Sequence, residues 1–260
     1  MKRLTTLTLA VFALAIIAGT ASADMKKIRV ATEGAYAPFN YVDPDGSLKG
    51  FDVDIAKALC EHMKVECEIV KQDWDGMIPG LLAKKYDAII ASMAITDERK
   101  KKVDFTNKYY IEAARFVVRK GSNFDLTPEG LAGKKIGVQR ATIHENYVRA
   151  TWPKAEVVVY DTQENANLDM VAGRLDLLMA ASIALSDFLK TDSGKDFEFI
   201  GPEYNDPKIH GEGAGIAVRK GEDELREAFN KAIDEIRMDG TYKKINDKYF
   251  DVDIYGAPAS

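Results

Sequence analysis

Three histidines, two cysteines and two tryptophans are all that 260 residues hold of those types, and each scarcity excludes something. His62, His144 and His210 stand in unrelated contexts, with no nucleophile motif or metal-ligand spacing around them. No catalytic residue, metal or cofactor is therefore expected. No block of basic residues occurs, and the formal net charge is −5, so the chain lacks the positive footprint that nucleic acid demands. No apolar run reaches the roughly 20 residues that span a bilayer as a helix.

What is present begins at the N-terminus. Lys2 and Arg3 precede an apolar run from Leu7 to Ala18, and Ala21-Ser22-Ala23 follows as an A-x-A site. That order describes a secretory signal peptide cleaved after Ala23; the run is too short for a membrane anchor, and no cysteine follows the cut to carry lipid. Removing 23 residues, Lys2 and Arg3 among them, leaves 237 residues and shifts the net charge from −5 to −7. Such a length suits one large domain or two modest ones. Both cysteines, Cys60 and Cys67, lie in the exported part, and an even pair in an oxidising compartment reads as a disulfide. It would tie a helical pattern to a strand-like run, contributing about 2.5 kcal/mol for so short a loop. The competing metal site lacks suitably placed partners.

Short β-rich runs alternate with helical patterns throughout. The strands expected are 27–32, 67–71, 88–92, 114–119, 135–139, 156–160, 175–179, 197–200 and 215–218; the helices are 51–63, 76–84, 142–150, 164–172, 181–189 and 222–239. The first helix puts Ile55, Ala58 and Leu59 on one face, with Asp52 near its start as a cap. Alternation of this kind predicts an α/β fold of βαβ units with largely parallel sheets. Two similar segments, each ending Val-Arg-Lys-Gly at Gly121 and Gly221, lie beside glycine-bearing loops and read as a pair of parallel hinge strands. They divide the chain into a discontinuous first lobe, 24–114 plus 212–260, and an inserted second lobe, 115–211. Composition alone equally permits one continuous α/β domain.

The segment Gly50–Leu59 (GFDVDIAKAL), with Ala31–Tyr41, Ala83–Thr106, Ala172–Asp176 and Asp239–Phe250, resembles the family 3 extracellular solute-binding proteins that serve polar amino-acid ABC transporters. The likeness extends over the whole exported chain and is strongest to the lysine/arginine/ornithine- and histidine-binding members, the Cys60–Cys67 spacing included; opine-binding proteins fall in the same group. It implies a two-lobed, type II-like periplasmic-binding fold, each lobe a mostly parallel sheet flanked by helices, hinged about a ligand cleft. The expected partners are a small amino-acid-like ligand and an inner-membrane ABC permease and ATPase; the expected state is a periplasmic monomer.

The resemblance also suggests site residues. Arg99 matches the residue that holds the ligand carboxylate, a task suited to a paired-donor guanidinium that stays charged in a dry cleft. Tyr36 and Trp74 match aromatics that stack on the ligand side chain, where a cation over a ring gains about 0.5–2 kcal/mol. Glu33 matches the acid that meets a cationic side chain. Ala91-Ser92-Met93 ends a buried strand where main-chain groups and a hydroxyl can face the cleft, although Ala91 and Ala94 stand where hydroxyls are frequent. In the second lobe, Gln139, Thr142 and His144 surround the start of a helix whose amides and Thr142 hydroxyl suit a carboxylate.

One departure is informative. The family carries an aspartate for the ligand ammonium where this chain has Ala181. Removing one partner of a desolvated ion pair commonly costs about 2–5 kcal/mol. Either the ligand lacks a free primary ammonium, as in an opine, or a group such as Asp161, Glu164 or Ser182 takes over. Two other functions share the framework: a sensor that presents its ligand to a membrane receptor, and a cyclohexadienyl-dehydratase-like enzyme, for which Glu33 is the only acid in the matched pocket.

Overall fold

A computed structural model describes residues 27–256 of the chain; the expected signal peptide lies outside them. From β1 (Lys27–Thr32) the chain passes through a small meander, β2 (Ala35–Tyr36), β3 (Asn40–Val42) and β4 (Leu48–Lys49), into α1 (Phe51–Met63) and back through β5 (Glu66–Lys71). A 3-10 turn at Trp74–Gly76 leads to α2 (Met77–Leu82), β6 (Ala88–Ile89), α3 (Asp97–Lys100) and β7 (Val103–Tyr110). Next come β8 (Ala114–Arg119), β9 (Lys135–Gln139), α4 (Ile143–Thr151), β10 (Glu156–Tyr160), α5 (Gln163–Val171), β11 (Leu177–Ala181), α6 (Ser182–Lys190), β12 (Phe197–Tyr204) and α7 (Pro207–His210). β13 (Ala214–Arg219), α8 (Asp223–Met238) and α9 (Thr241–Tyr249) complete the described chain.

Two five-stranded sheets result, ordered β5-β1-β6-β13-β7 and β10-β9-β11-β8-β12. In each, three strands run parallel through helical crossovers, and two pair antiparallel: β13 with β6 and β7, β8 with β11 and β12. Both faces of each sheet are covered, and the period-two alternation of a strand divides the core accordingly. Phe116 and Val118 of β8 join Ile136, Trp152 and Met179 on one face, while Val117 turns to Leu178, Met170 and Phe188 on the other. Ile28 and Val30 of β1 pack with Phe51, Ile55 and Leu59 of α1, whose spacing of four and eight residues from Phe51 makes one helical stripe. Each such side chain stabilises by about 1.5–3 kcal/mol when fully buried. Lys64, left-handed at φ 56°, ends α1, and the Cys60–Cys67 disulfide, Cα atoms 5.9 Å apart, fastens that end to β5.

The two Val-Arg-Lys-Gly strands are not a hinge pair. β8 and β13 belong to different sheets and never pair with each other. The crossings between sheets lie just before them, at 111–113 and 205–213, and run side by side where Ala214 pairs with Tyr110. Gly213 permits that approach: its φ is +115°, and an added Cβ would stand 2.7 Å from the Tyr110 carbonyl oxygen.

Asp52 is not a helix cap. Gly50 occupies the cap position without a side-chain bond, and the wholly buried Asp52 carboxylate turns inward. It accepts hydrogen bonds from Asn40 Nδ2 at 2.8 Å, the Ser92 hydroxyl at 2.9 Å and the Tyr109 hydroxyl at 2.7 Å. Burial pushes its pKa up to about 6 against the pull of these donors. A carboxyl raised in the folded state destabilises once ionised, so its contribution to stability falls as pH climbs from near 3.8 through about 6. Asp52→Ala leaves three buried donors without an acceptor and should cost about 3 kcal/mol in denaturant unfolding; a loss below about 1 kcal/mol would mean the network is not holding the fold.

Candidate functional site

The ends of β1, β6 and β9 meet between the sheets, at the carboxyl edges where α/β folds hold ligands. They wall a cavity with about 560 Å³ of non-atom space, open mouth included. Nine of the eleven residues expected at the site line it: Glu33, Tyr36, Trp74, Ala91, Ser92, Arg99, Gln139, Thr142 and His144. Met93 and Ala181 do not. The Met93 side chain packs beneath the first sheet with Met77, Leu81 and Tyr86. Ala181, fully buried at the end of β11, belongs to the core behind Tyr36.

Thr96 caps α3 by accepting the Arg99 N–H at 3.3 Å, which fixes the backbone of that arginine. Its guanidinium lies over the Trp74 ring, 5.2 Å from the centroid. It donates to two carbonyls, Ala94 O at 3.0 Å and, across the cleft, Ala141 O at 3.4 Å. No carboxylate forms an ion pair with it among the described residues. Burial lowers its pKa to about 10, so it stays a cation at neutral pH. Trp74 also reaches across, Nε1 donating to Ala141 O at 3.2 Å.

Glu33 is 3% exposed and accepts from Gln139 Nε2 of the second sheet at 2.6 Å. Burial pushes its carboxyl up to about 7, opposed by that bond and aided by the charge of Asp73. Tyr36 stacks on Phe39 at 5.9 Å, and burial, then the charge of Glu112, drives its hydroxyl pKa well above 10.

Two polar groups are otherwise engaged. The Thr142 hydroxyl donates to Gln139 O at 2.7 Å and accepts the Glu145 N–H as the α4 cap, so it has no proton left for a ligand carboxylate. The Ser92 hydroxyl donates to Asp52 and its N–H to the Tyr109 oxygen at 3.1 Å. Ser92 therefore shapes the wall, in a left-handed turn at φ 54°, and leaves the polar work to others.

The cavity holds groups that sequence reading missed, notably Tyr110, Glu112, Ile143 and His210. Glu33 is thus not its only acid. Burial pushes the Glu112 carboxyl up to about 8, held back by the Tyr110 hydroxyl at 3.3 Å. His144 is 6% exposed; burial and the charges of His210 and Arg99 lower its pKa to about 3. Three buried polar atoms among the lining residues, Glu112 Oε2, His144 Nδ1 and His210 Nε2, have no protein partner. Glu112 and His210 lie on the crossings, segments without a motif.

Of the three groups considered as substitutes for a carboxylate at 181, none lines the cavity. Asp161 pairs with Arg140 at 2.8 Å on the rim, Glu164 lines a separate groove between the β2–β3 meander and helices α5 and α6, and Ser182 opens α6 with its N–H on Ala113 O at 2.8 Å.

Residues 28–252 match the model of the bacterial extracellular solute-binding proteins, family 3. The chain is 51% identical to an L-arginine-binding protein of Pseudomonas aeruginosa over 99% of its own length and 100% of that protein's. It is 44% identical to the histidine-binding periplasmic protein of Escherichia coli, covering 89% and 90% of the two chains. Among solved structures, an ancestral arginine-binding protein bound to arginine superimposes with a TM-score of 0.81 at 38% identity, over 87% of this chain and 99% of that one. With two sheets joined by adjacent crossings around a charged cavity, and matched over nearly all its described length, this chain belongs to the family 3 bacterial extracellular solute-binding proteins.

Proposed function

We propose that the chain is the periplasmic substrate-binding component of an ABC importer and that its ligand is a basic amino acid or a derivative of one. Arg99 carries the reading. Its guanidinium lines the cavity with only carbonyl partners, and a desolvated cation of this kind gains most from a bidentate carboxylate. Glu33 lines the same cavity as a buried acid, which suits a cationic side chain held between the faces of Tyr36 and Trp74. The relatives' names, L-arginine- and histidine-binding, favour the same class. The Ser92 and Thr142 hydroxyls are engaged within the wall, which favours a binder over an enzyme.

The two jaws would be residues 24–114 with 212–260, and 115–211, moving about 111–113 and 205–213. Bonds from Gln139 to Glu33 and from Trp74 and Arg99 to Ala141 O would then be the latches of the closed form. Export would remove residues 1–23 and deliver the protein to the periplasm, where the closed form would meet the permease.

Calorimetry of the protein from Asp24 onward against arginine, lysine, ornithine, histidine, glutamine, octopine, nopaline and prephenate tests the reading. A basic amino acid or opine should bind and raise the melting temperature. Consumption of prephenate without amino-acid binding would overturn it. Arg99→Ala should weaken binding by about 30-fold or more, as expected for stripping one partner from a desolvated pair, with the melt of the empty protein little changed. Glu33→Gln should reduce the preference for arginine over glutamine, read as the ratio of the two dissociation constants; an unchanged ratio would remove Glu33 from the side-chain end.

A further inference from the structure

We infer that Glu112 receives the protonated α-nitrogen of the ligand, in the role that position 181 leaves vacant by carrying alanine. The inference rests on the basic amino-acid reading above and names the group that completes its site.

Backbone register places Glu112 where it is needed. Ala114 pairs with Ala181 across β8 and β11, and the Ser182 N–H donates to Ala113 O at 2.8 Å. The crossing at 111–113 therefore runs alongside position 181, and Glu112 reaches the cavity from there. Tyr36 adjoins both places: it packs in one core cluster with Ala181 and lines the cavity with Glu112. A second ladder links Glu112 to the carboxylate end. Arg99 donates to Ala94 O, Ala94 bridges to Ala214, and Ala214 pairs with Tyr110, whose hydroxyl donates to Glu112 Oε1. An α-carboxylate and α-ammonium sit one carbon apart, and Arg99 and Glu112 line the same cavity, so one zwitterion there can face both groups.

The remaining valence of Glu112 is the decisive observation. Its Oε2 is buried and has no hydrogen-bond partner. The groups around it are Tyr36 of β2, Tyr110 and Tyr109 of β7 and Asp52 of α1. None is a cation, and no lysine or arginine pairs with Glu112 among the described residues. Burial and Asp52 hold its proton on in the empty site; a ligand ammonium supplies the missing positive charge and displaces that proton. A secondary ammonium, as in an opine, meets the same requirement, whereas an acylated nitrogen does not.

The test measures L-arginine and Nα-acetyl-L-arginine against the wild type, Glu112→Gln, and a double variant, Glu112→Ala with Ala181→Asp, each checked by thermal melting. The expected result is that the wild type prefers arginine over its acetyl derivative by at least about 30-fold. Glu112→Gln should lose that preference, and the double variant should regain it. Titrations in buffers of different ionisation heat should also show the wild type releasing more protons on binding at pH 7 than Glu112→Gln does. Arginine affinity in Glu112→Gln within threefold of wild type, or equal wild-type affinity for the two ligands, overturns the inference and leaves the binding function standing. If the wild type binds no basic amino acid or opine, the function itself has failed and takes this inference with it.

Discussion

The three-donor embrace of Asp52 sets most of what surrounds it. Asn40 Oδ1 accepts the Gly34 N–H at 2.8 Å while its amide holds Asp52, which fixes the loop carrying Glu33 and Tyr36. Ser92 is held in its left-handed turn by the same carboxylate, which fixes the wall from Ala91 to Ala94. Tyr109 is the third partner, and it positions the end of β7 from which Tyr110 and the crossing to Glu112 depart. Bonds spanning 12, 40 and 57 residues of sequence thus converge on one buried group. A column of Tyr36, Phe39 and Tyr110 rings, stacked at 5.9 and 4.9 Å, backs the same wall. The ionised carboxylate costs stability, and the offset is a site whose first-lobe half is rigid before any ligand arrives.

That rigidity matters because the cavity is built from ionisable groups without charged partners among the described residues. Arg99 donates to carbonyls, while Glu33 accepts from an uncharged amide and Glu112 from a phenol. In a water-excluding cleft each such group is costly alone and strongly attractive to its opposite. Selectivity follows from which charges are left open, not from shape alone, and alanines at 91, 94 and 181 supply no polar side chain there. The surviving polar positions are fewer, and each carries more of the discrimination.

Much of the fold was legible in the sequence because it is written locally. Runs such as Lys27–Thr32, Ala114–Arg119 and Lys135–Gln139 alternate or are wholly apolar, and the structure places β1, β8 and β9 on those bounds. β7 escaped notice because Val103-Asp104-Phe105-Thr106-Asn107-Lys108 mixes polar and apolar residues without a clear period. Asp52 looked like a cap because an acid near a helix start usually is one; its true partners lie far away in sequence. Family likeness pointed to Arg99, Tyr36, Trp74 and Glu33, which the fold gathers around one cavity. It had no means of pointing to Glu112, since a residue on a crossing between sheets acquires meaning only when the register of β8 against β11 is known.

Groups that the protein leaves without charged partners would be closed by a zwitterion with a basic side chain. A crystal structure of the protein with L-arginine decides this. Carboxylate oxygens should lie within hydrogen-bond distance of the Arg99 guanidinium, with the ligand's own guanidinium at Glu33, between Tyr36 and Trp74. Arginine bound in the reverse sense, or anywhere outside this cavity, would contradict it.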